Sequence, residues 1–311
     1  MKNSIKVFAP ATVANVVCGY DVLGFAVDAP GDEVIMKLTS GKGITITKIT
    51  GDDGKLPLNP EKNTVSASVQ HYLDYIGQPD LGVEIELHKK MPIGSGLGSS
   101  SASTVAGLFA INTLLDNRLT NRELVPFAMK GEELACGYGH ADNVAPALMG
   151  GFVLIRSYEP LDIISLPFPE DLHAAIVYPE VDVPTKDARQ MIRSKVLLKD
   201  AVTQWGNVAG LVSGLFMKDY DLIGRSMTDV LVEPTRAILI PEFYAMRQLA
   251  LENGAIGFGI SGSGPSVFAL TKDAHTANNI TQKLQAHLKN IAINSLSFVS
   301  EVNKKGPIII D

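Results

Sequence analysis

Cysteine, tryptophan and long apolar runs are what this 311-residue sequence has least of: two cysteines, one tryptophan, and 6% aromatic residues in all. No stretch approaches the ~18 or more consecutive apolar residues of a bilayer span. The opening segment MKNSIKVFAP has lysines at positions 2 and 6 and no long apolar run before Pro10. It lacks the ~7–15-residue apolar core of a signal peptide. Two thiols, Cys18 and Cys136, could form one disulfide. Without an export signal they are expected to stay reduced, which places the protein in the cytoplasm and argues against a disulfide-stapled scaffold. A basic excess is missing too. Lys plus Arg number 27 against 33 for Asp plus Glu, a net charge of -6. That balance favours no nucleic-acid partner, though it leaves room for a local cationic pocket. The six histidines (71, 88, 140, 173, 275, 287) do not cluster. Cys136 and His140 alone are too few for a zinc site.

What is present is an ordinary globular composition, 46% hydrophobic and 19% charged. The length suits two domains of ~100–150 residues better than one. The first 50 residues are β-rich: residues 5–8, 33–38 and 44–47 carry β-branched side chains between turns. Residues 61–76 read as a helix. Residues 82–88 alternate strictly, with Val83, Ile85 and Leu87 on one face of a half-buried strand. The small, apolar stretch 102–115 reads as a buried helix. Thr120 and Glu123 have the spacing of a capping box and should open a helix ending near Gly137. A strand follows at 151–155. Beyond residue 170, strand 174–178, helices 186–194, 198–217 and 241–252, strands 256–260 and 266–270, helix 274–288 and strand 297–302 give the order β-α-β-β-α-β, a ferredoxin-like arrangement. The boundary is expected in 156–172, around Pro160, Pro167 and Pro169, dividing the chain into 1–165 and 166–311. No repeat or low-complexity tract is visible.

Three glycines and four serines occupy seven of the eight positions from Gly94 to Ser101, between a strand and a helix. Glycine lets backbone N–H groups approach an anion, and a helix start adds unpaired donors and partial positive charge. Serine hydroxyls can donate to phosphate or ligate a hard cation. A flexible turn that binds nothing is the alternative, and the strand–loop–helix context argues against it. The lysine-bearing Gly-x-x-x-x-Gly-Lys loop is absent. Gly-x-Gly-x-x-Gly occurs at 257–262, but a strand follows it instead of a helix, so the chain is not a dinucleotide-binding dehydrogenase.

Three separated segments resemble, in order, the motifs of the GHMP kinases. The first is Ala9-Pro-Ala-Thr-Val-Ala-Asn15 with Gly19-Tyr-Asp21-Val-Leu-Gly24. The second is Pro92-Ile-Gly-Ser-Gly-Leu-Gly-Ser-Ser-Ser-Ala102, and the third Gly259-Ile-Ser-Gly-Ser-Gly-Pro-Ser266. The resemblance implies an α+β fold, with an N-terminal domain like ribosomal protein S5 domain 2 and a ferredoxin-like C-terminal domain. It implies ATP as phosphoryl donor, held by Pro92, Ile93, Gly94, Ser95, Gly96, Leu97, Gly98, Ser99, Ser100, Ser101 and Ala102 with Gly262 and Ser263. Mg²⁺ would sit on Ser100 and Glu132. Glu132 lies eight residues before His140, as that pattern asks, although Glu132 read alone is a solvated helix face.

Within the family, His140-Ala-Asp142-Asn143 points to L-homoserine as acceptor, a step of threonine biosynthesis. Asn143 and Asn15 would lie at the reacting hydroxyl, and transfer would rest on orientation and electrostatics. Asp142 is either a proton acceptor or the N-cap of a helix over 144–149. Asp21 is expected to hold the ammonium, and His140 and Thr185 to line the pocket. Arg189 and Arg236 would take the carboxylate, for which a guanidinium fork is suited. Read singly, each arginine is more often a surface salt bridge. Val16-Val17-Cys18 departs from the family's usual stretch and leaves that loop's shape open. A mevalonate or sugar kinase, or an ATP-binding relative without chemistry, are the competing readings; mevalonate would leave Asp21 without an ammonium partner. A homodimer is expected from the family, with no nucleic-acid or membrane partner.

Overall fold

The structure, a computed structural model, describes residues 3–183 and 185–310, apart from the side chains at 135, 136 and 185–187. The chain begins with β1 (Ser4–Ala14), β2 (Leu23–Lys42) and β3 (Ile44–Thr50), then α1 (Thr64–Tyr75) and β4 (Leu81–His88). It continues with α2 (Ser99–Leu114), α3 (Asn121–Cys136), α4 (Ala141–Met149), β5 (Phe152–Tyr158) and β6 (Leu161–Leu166). After these come β7 (His173–Pro179), α5 (Thr185–Gln190), α6 (Leu198–Met217), α7 (Tyr220–Ser226), α8 (Glu233–Arg236) and α9 (Phe243–Glu252). The last elements are β8 (Gly257–Ile260), β9 (Val267–Thr271), α10 (Ala274–Asn290), β10 (Ser295–Glu301) and β11 (Ile308–Ile310).

One sheet runs β11-β1-β2-β4-β3, with β5 on β2 and β6 on β5. The long β2 makes this possible: its first residues pair with β5 and its later ones with β4. Val83, Ile85 and Leu87 of β4 all face inward, as their alternation predicts. The second sheet runs β10-β7-β9-β8, every pair antiparallel. Its chain order is β-α-β-β-α-β, as expected, with five helices in the first connection. α2 is buried nearly all round because small apolar residues let it pack on β1 and β2 and against α1 and α3 at once. Phe25 stacks on Phe152 at 4.6 Å and meets Phe268 of the second sheet edge-on at 5.8 Å. Each large apolar side chain buried this way contributes roughly 1.5–3 kcal/mol.

Several boundaries differ from the sequence reading. β1 continues through Ala14, so the first motif is strand up to that point. Of the prolines in 156–172, Pro160 lies in the turn of the β5–β6 hairpin, while Pro167 and Pro169 lie between β6 of the first sheet and β7 of the second. The helix expected over 186–194 ends at Gln190, and α7 and α8 are too short to show a helical period. At the far end of the chain, β11 returns to pair with β1. No described helix is long and apolar enough to cross a membrane.

Candidate active site

The three motif segments, up to 250 residues apart in sequence, meet at one point. Gly94, Gly96 and Gly98 all take positive φ (71, 82 and 65°), which explains glycine at alternate positions. The loop is held from both sides. The Leu97 carbonyl accepts from Thr12 N at 3.1 Å, and the Ser95 carbonyl from Ser266 N at 3.1 Å. Ser261 Oγ donates to the Gly96 carbonyl at 2.8 Å. A Cβ on Gly96 would strike the Ser261 and Gly264 carbonyl oxygens, and one on Gly98 the Thr12 hydroxyl. Gly98 precedes α2, whose start has no side-chain cap. The first amides of that helix therefore remain as donors to an anion.

Behind the loop is a buried ion pair that the sequence reading missed. Lys89 Nζ contacts Asp32 Oδ2 and donates to the Ser99 carbonyl and to Ser103 Oγ, each at 2.7 Å. Asp32 also accepts from Lys90 N at 2.9 Å and Ser103 Oγ at 2.9 Å. Burial lowers the Lys89 pKa, against the pull of Asp32. The pair fastens the first turn of α2 to β2 and to the end of β4. In the sequence, only their places next to the strands expected at 33–38 and 82–88 hinted at it.

Glu132, on α3, is buried, and its Oε1 accepts from Ser100 Oγ at 2.9 Å. Burial raises its pKa, with the Ser100 hydrogen bond opposing. The solvated face belongs to Glu133, whose carboxylate pairs with Lys130 at 2.8 Å. A buried carboxylate beside a hydroxyl, next to an anion cradle, suits a hard cation shared with phosphates.

The acceptor side is built on an unusual loop. Asn15, Val16, Val17 and Asp21 all have positive φ (71, 41, 63 and 59°). Asn15 holds this shape, accepting from Asp21 N at 3.0 Å and donating to the Gly262 carbonyl at 2.9 Å. Cys18 is buried, and burial pushes its thiol up to about 12, with Asp229 adding to the effect, so it is inert. Asp21 pairs with Arg189 at 2.8 Å, and His140 Nδ1 is 3.9 Å from Asp21 Oδ1. Burial lowers the His140 pKa, although Asp21 pulls the other way. Its Nε2 has no hydrogen-bond partner among the described residues.

Arg236 is buried, donating to the Gly262 carbonyl at 3.0 Å. It lies 5.1 Å from the centre of the Tyr20 ring, which Arg189 also approaches, at 5.7 Å. Neither arginine is a free surface salt bridge. Tyr20, Tyr138 (5.6 Å from Arg189) and Tyr158, which donates to the Asp21 carbonyl at 2.8 Å, escaped the sequence reading. Tyr20 stands inside the first motif and could have been found there.

Asn143 links the two halves, its Oδ1 accepting from Thr12 Oγ1 at 2.7 Å beside Gly98. α4 begins at Ala141, with His140 as N-cap. Asp142 therefore lies in the first turn and does not cap a helix over 144–149, which corrects that alternative. Its carboxyl is buried; burial, then Asp21 and Glu132, raise its pKa to about 7. Gly262 packs on Gly96, and Ser263 follows it in sequence. The Thr185 side chain lies outside the described residues, at the start of α5.

An anion cradle joined to a small pocket of opposed charges is the arrangement of a phosphotransferase with a charged acceptor. Comparison with known proteins agrees. Residues 63–151 match the GHMP kinases N terminal domain and residues 210–290 the GHMP kinases C terminal family. A homoserine kinase of Chlorobium phaeobacteroides is 47% identical over 97% of this chain and 98% of its own. The crystal structure of homoserine kinase from Cytophaga hutchinsonii is 59% identical, covers 100% of this chain and 98% of its own, and has a TM-score of 0.97. The L. major mevalonate kinase, 16% identical over 97% of this chain and 98% of its own, shares the fold at a TM-score of 0.72. The chain belongs to the GHMP kinase family and is an ATP-dependent kinase.

Proposed function

We propose that this protein transfers the γ-phosphoryl group of ATP to the γ-hydroxyl of L-homoserine, giving O-phospho-L-homoserine in the cytoplasmic synthesis of threonine. One observation supports the choice of acceptor: Asp21 pairs with Arg189, and Arg189 and Arg236 both lie over the Tyr20 ring. An anionic and two cationic groups at that spacing match the ammonium and carboxylate of an amino acid. Mevalonate would leave Asp21 facing a hydrocarbon, and a sugar would leave both arginines without an anion. The homoserine kinases similar to this chain over nearly its whole length support the same reading.

In this reading Asn143 orients the hydroxyl. Its Oδ1 is engaged by Thr12, which turns the amide Nδ2 toward the acceptor oxygen. The acceptor oxygen forms a bond to the γ-phosphorus, the bridging bond to the β-phosphate breaks, and ADP leaves. The hydroxyl proton passes to a phosphoryl oxygen, so orientation and charge stabilisation supply the acceleration. The α2 amides and the loop hold the phosphates. Ser100 Oγ and the Glu132 carboxylate would hold Mg²⁺, which when bound with ATP neutralises phosphate charge. Glu132 fits that part because its buried carboxylate accepts from the Ser100 hydroxyl and gains from a cation.

The test is ADP release with Mg-ATP against L-homoserine, mevalonate, galactose and L-serine. Turnover should be confined to L-homoserine. Phosphorylation of mevalonate or galactose would leave the phosphate site standing and overturn the acceptor pocket; ATP binding without turnover would favour a sensor.

A further inference from the structure

The segment that carries Arg236 cannot place itself. Helix α8 is a single turn, Glu233–Arg236. One turn is unfavourable alone, because it fixes several residues for one hydrogen bond. Three buried side chains hold it from outside. Asp229 accepts from the amides of Leu231, Val232 and Glu233 at 2.8, 3.1 and 2.8 Å, and so shapes the entry to α8. Gln204 accepts from Val230 N at 3.0 Å and donates to the Cys18 carbonyl at 2.7 Å, which ties that entry to the acceptor loop. Glu233 fastens the helix itself, its Oε1 accepting from Arg247 Nη1 of α9 at 2.7 Å.

Glu233 is a carboxylate with no evident reason to be inside. Its side chain is 6% exposed, against 24% for Arg247. Its Oε2 has no hydrogen-bond partner among the described residues. That oxygen lies beside β8 at Gly259, where a Cβ would come within 3.6 Å of it and would strike Val17 of the acceptor loop. Burial pushes the Glu233 carboxyl up to about 7, against the pull of Arg247 and with Asp229 adding to the effect. A buried ion pair adds little net stability over apolar side chains of similar volume, and its best-attested use is to fix one arrangement among several. Here it fixes α8. Arg236 stands three residues after Glu233, on the same turn, so the two move together.

We propose that Glu233 is a positioning residue for the acceptor: through its pair with Arg247 it holds α8 where Arg236 meets the acceptor's carboxylate. The proposal rests on the acceptor pocket proposed above. Glu233 touches neither substrate in this reading, so its loss should be felt through Arg236.

Steady-state kinetics of the full chain at pH 8.5, with Glu233 ionised, test this. Glu233→Ala should raise the KM for L-homoserine about 10-fold, within what a misplacement of about 1 Å can cost. Its kcat and its KM for ATP should stay close to native. Glu233→Gln, which keeps an oxygen for Arg247, should recover most of the loss. Arg247→Gln breaks the same pair from its more exposed side and should raise the same KM, which covers the case of a Glu233→Ala chain that does not fold. In an Arg236→Lys background, Glu233→Ala or Arg247→Gln should raise the KM for L-homoserine no further, since the fork they position is already gone. An unchanged KM for L-homoserine in both single variants, or an equal rise in the KM for ATP, overturns the proposal and leaves the acceptor pocket standing. So does an equal rise with and without Arg236→Lys, because Glu233 would then act on some other group. A native enzyme that ignores L-homoserine overturns the acceptor pocket, and this proposal with it.

Discussion

Arg189 Nη2 lies 2.8 Å from Asp21 Oδ2, so the two side chains assigned to an acceptor's carboxylate and ammonium hold one another. Both are partly exposed, at 34 and 26% of the side chain. A zwitterion entering the pocket exchanges this one ion pair for two, with the ammonium taking the place of the guanidinium at Asp21. A ligand with only one of the two charges would leave a partner behind. Under the proposed assignment, this internal pairing would select against simple amines and simple acids.

Asp21→Asn is expected to raise the KM for L-homoserine about 10–100-fold, the worth of a charge-assisted hydrogen bond of roughly 1.5–3 kcal/mol. The KM for ATP should hardly move. Steady-state kinetics with each substrate varied in turn will distinguish these; equal rises in both would show that the whole site had shifted.

Arg236→Lys keeps the charge but should still cost about 10–100-fold in kcat/KM for the acceptor, since one ammonium cannot replace a fork. The Arg236 guanidinium bonds the Gly262 carbonyl while lying over Tyr20, and Gly262 also anchors Asn15. A lysine variant within twofold of the native enzyme would remove Arg236 from the carboxylate site.

Asp142 makes stability depend on pH in a definite direction. Burial raises its pKa to about 7, so the native state binds that proton more tightly than the unfolded chain does. Its contribution is complete below the ordinary carboxylate range of about 4 and is lost as pH rises through 7. Relative to Asp142→Asn, which cannot titrate, the native protein should lose about 2–4 kcal/mol between pH 5 and pH 8. Calorimetric melts of both at the two pH values test this. A gap that is constant or narrows in the variant's favour at low pH contradicts it.

Lys89 and Asp32 should behave as one unit. Lys89→Met leaves a buried carboxylate without its cation and should destabilise by about 3–5 kcal/mol. Adding Asp32→Leu should restore much of the stability, because no charge then remains buried. It should not restore ATP affinity, since the Ser99 carbonyl would still lack the Lys89 donor that steadies the start of α2. Urea unfolding and the KM for ATP measure the two effects separately. Full recovery of both would make the pair a core feature with no part in nucleotide binding.

Much of the fold could be read from local pattern. The alternation of 82–88, the Thr120–Glu123 capping box and the glycines at 94, 96 and 98 each correspond to a backbone requirement satisfied within a few residues. The long α6 was legible from end to end, since twenty residues give its period room to show. α7 and α8 were not, being too short to carry one, and Pro160 was read as a linker where it turns a hairpin. Asp142 was offered as a cap because its side chain suits one, and the helix in fact starts one residue before it.

The site divides along the same line. The residue types that phosphoryl transfer needs, and their order along the chain, are properties of the sequence alone. Partnership was decided by the tertiary structure: which glutamate is buried beside Ser100, which aspartate meets Arg189, and that Tyr20 lies under two guanidinium groups. Burial and charge proximity depend on segments from 32 to 168 residues apart being brought together. No local pattern encodes that distance, so the pKa of Asp142 and the pairing of Lys89 with Asp32 come into being only when α2 packs on β1 and β2 and against α4.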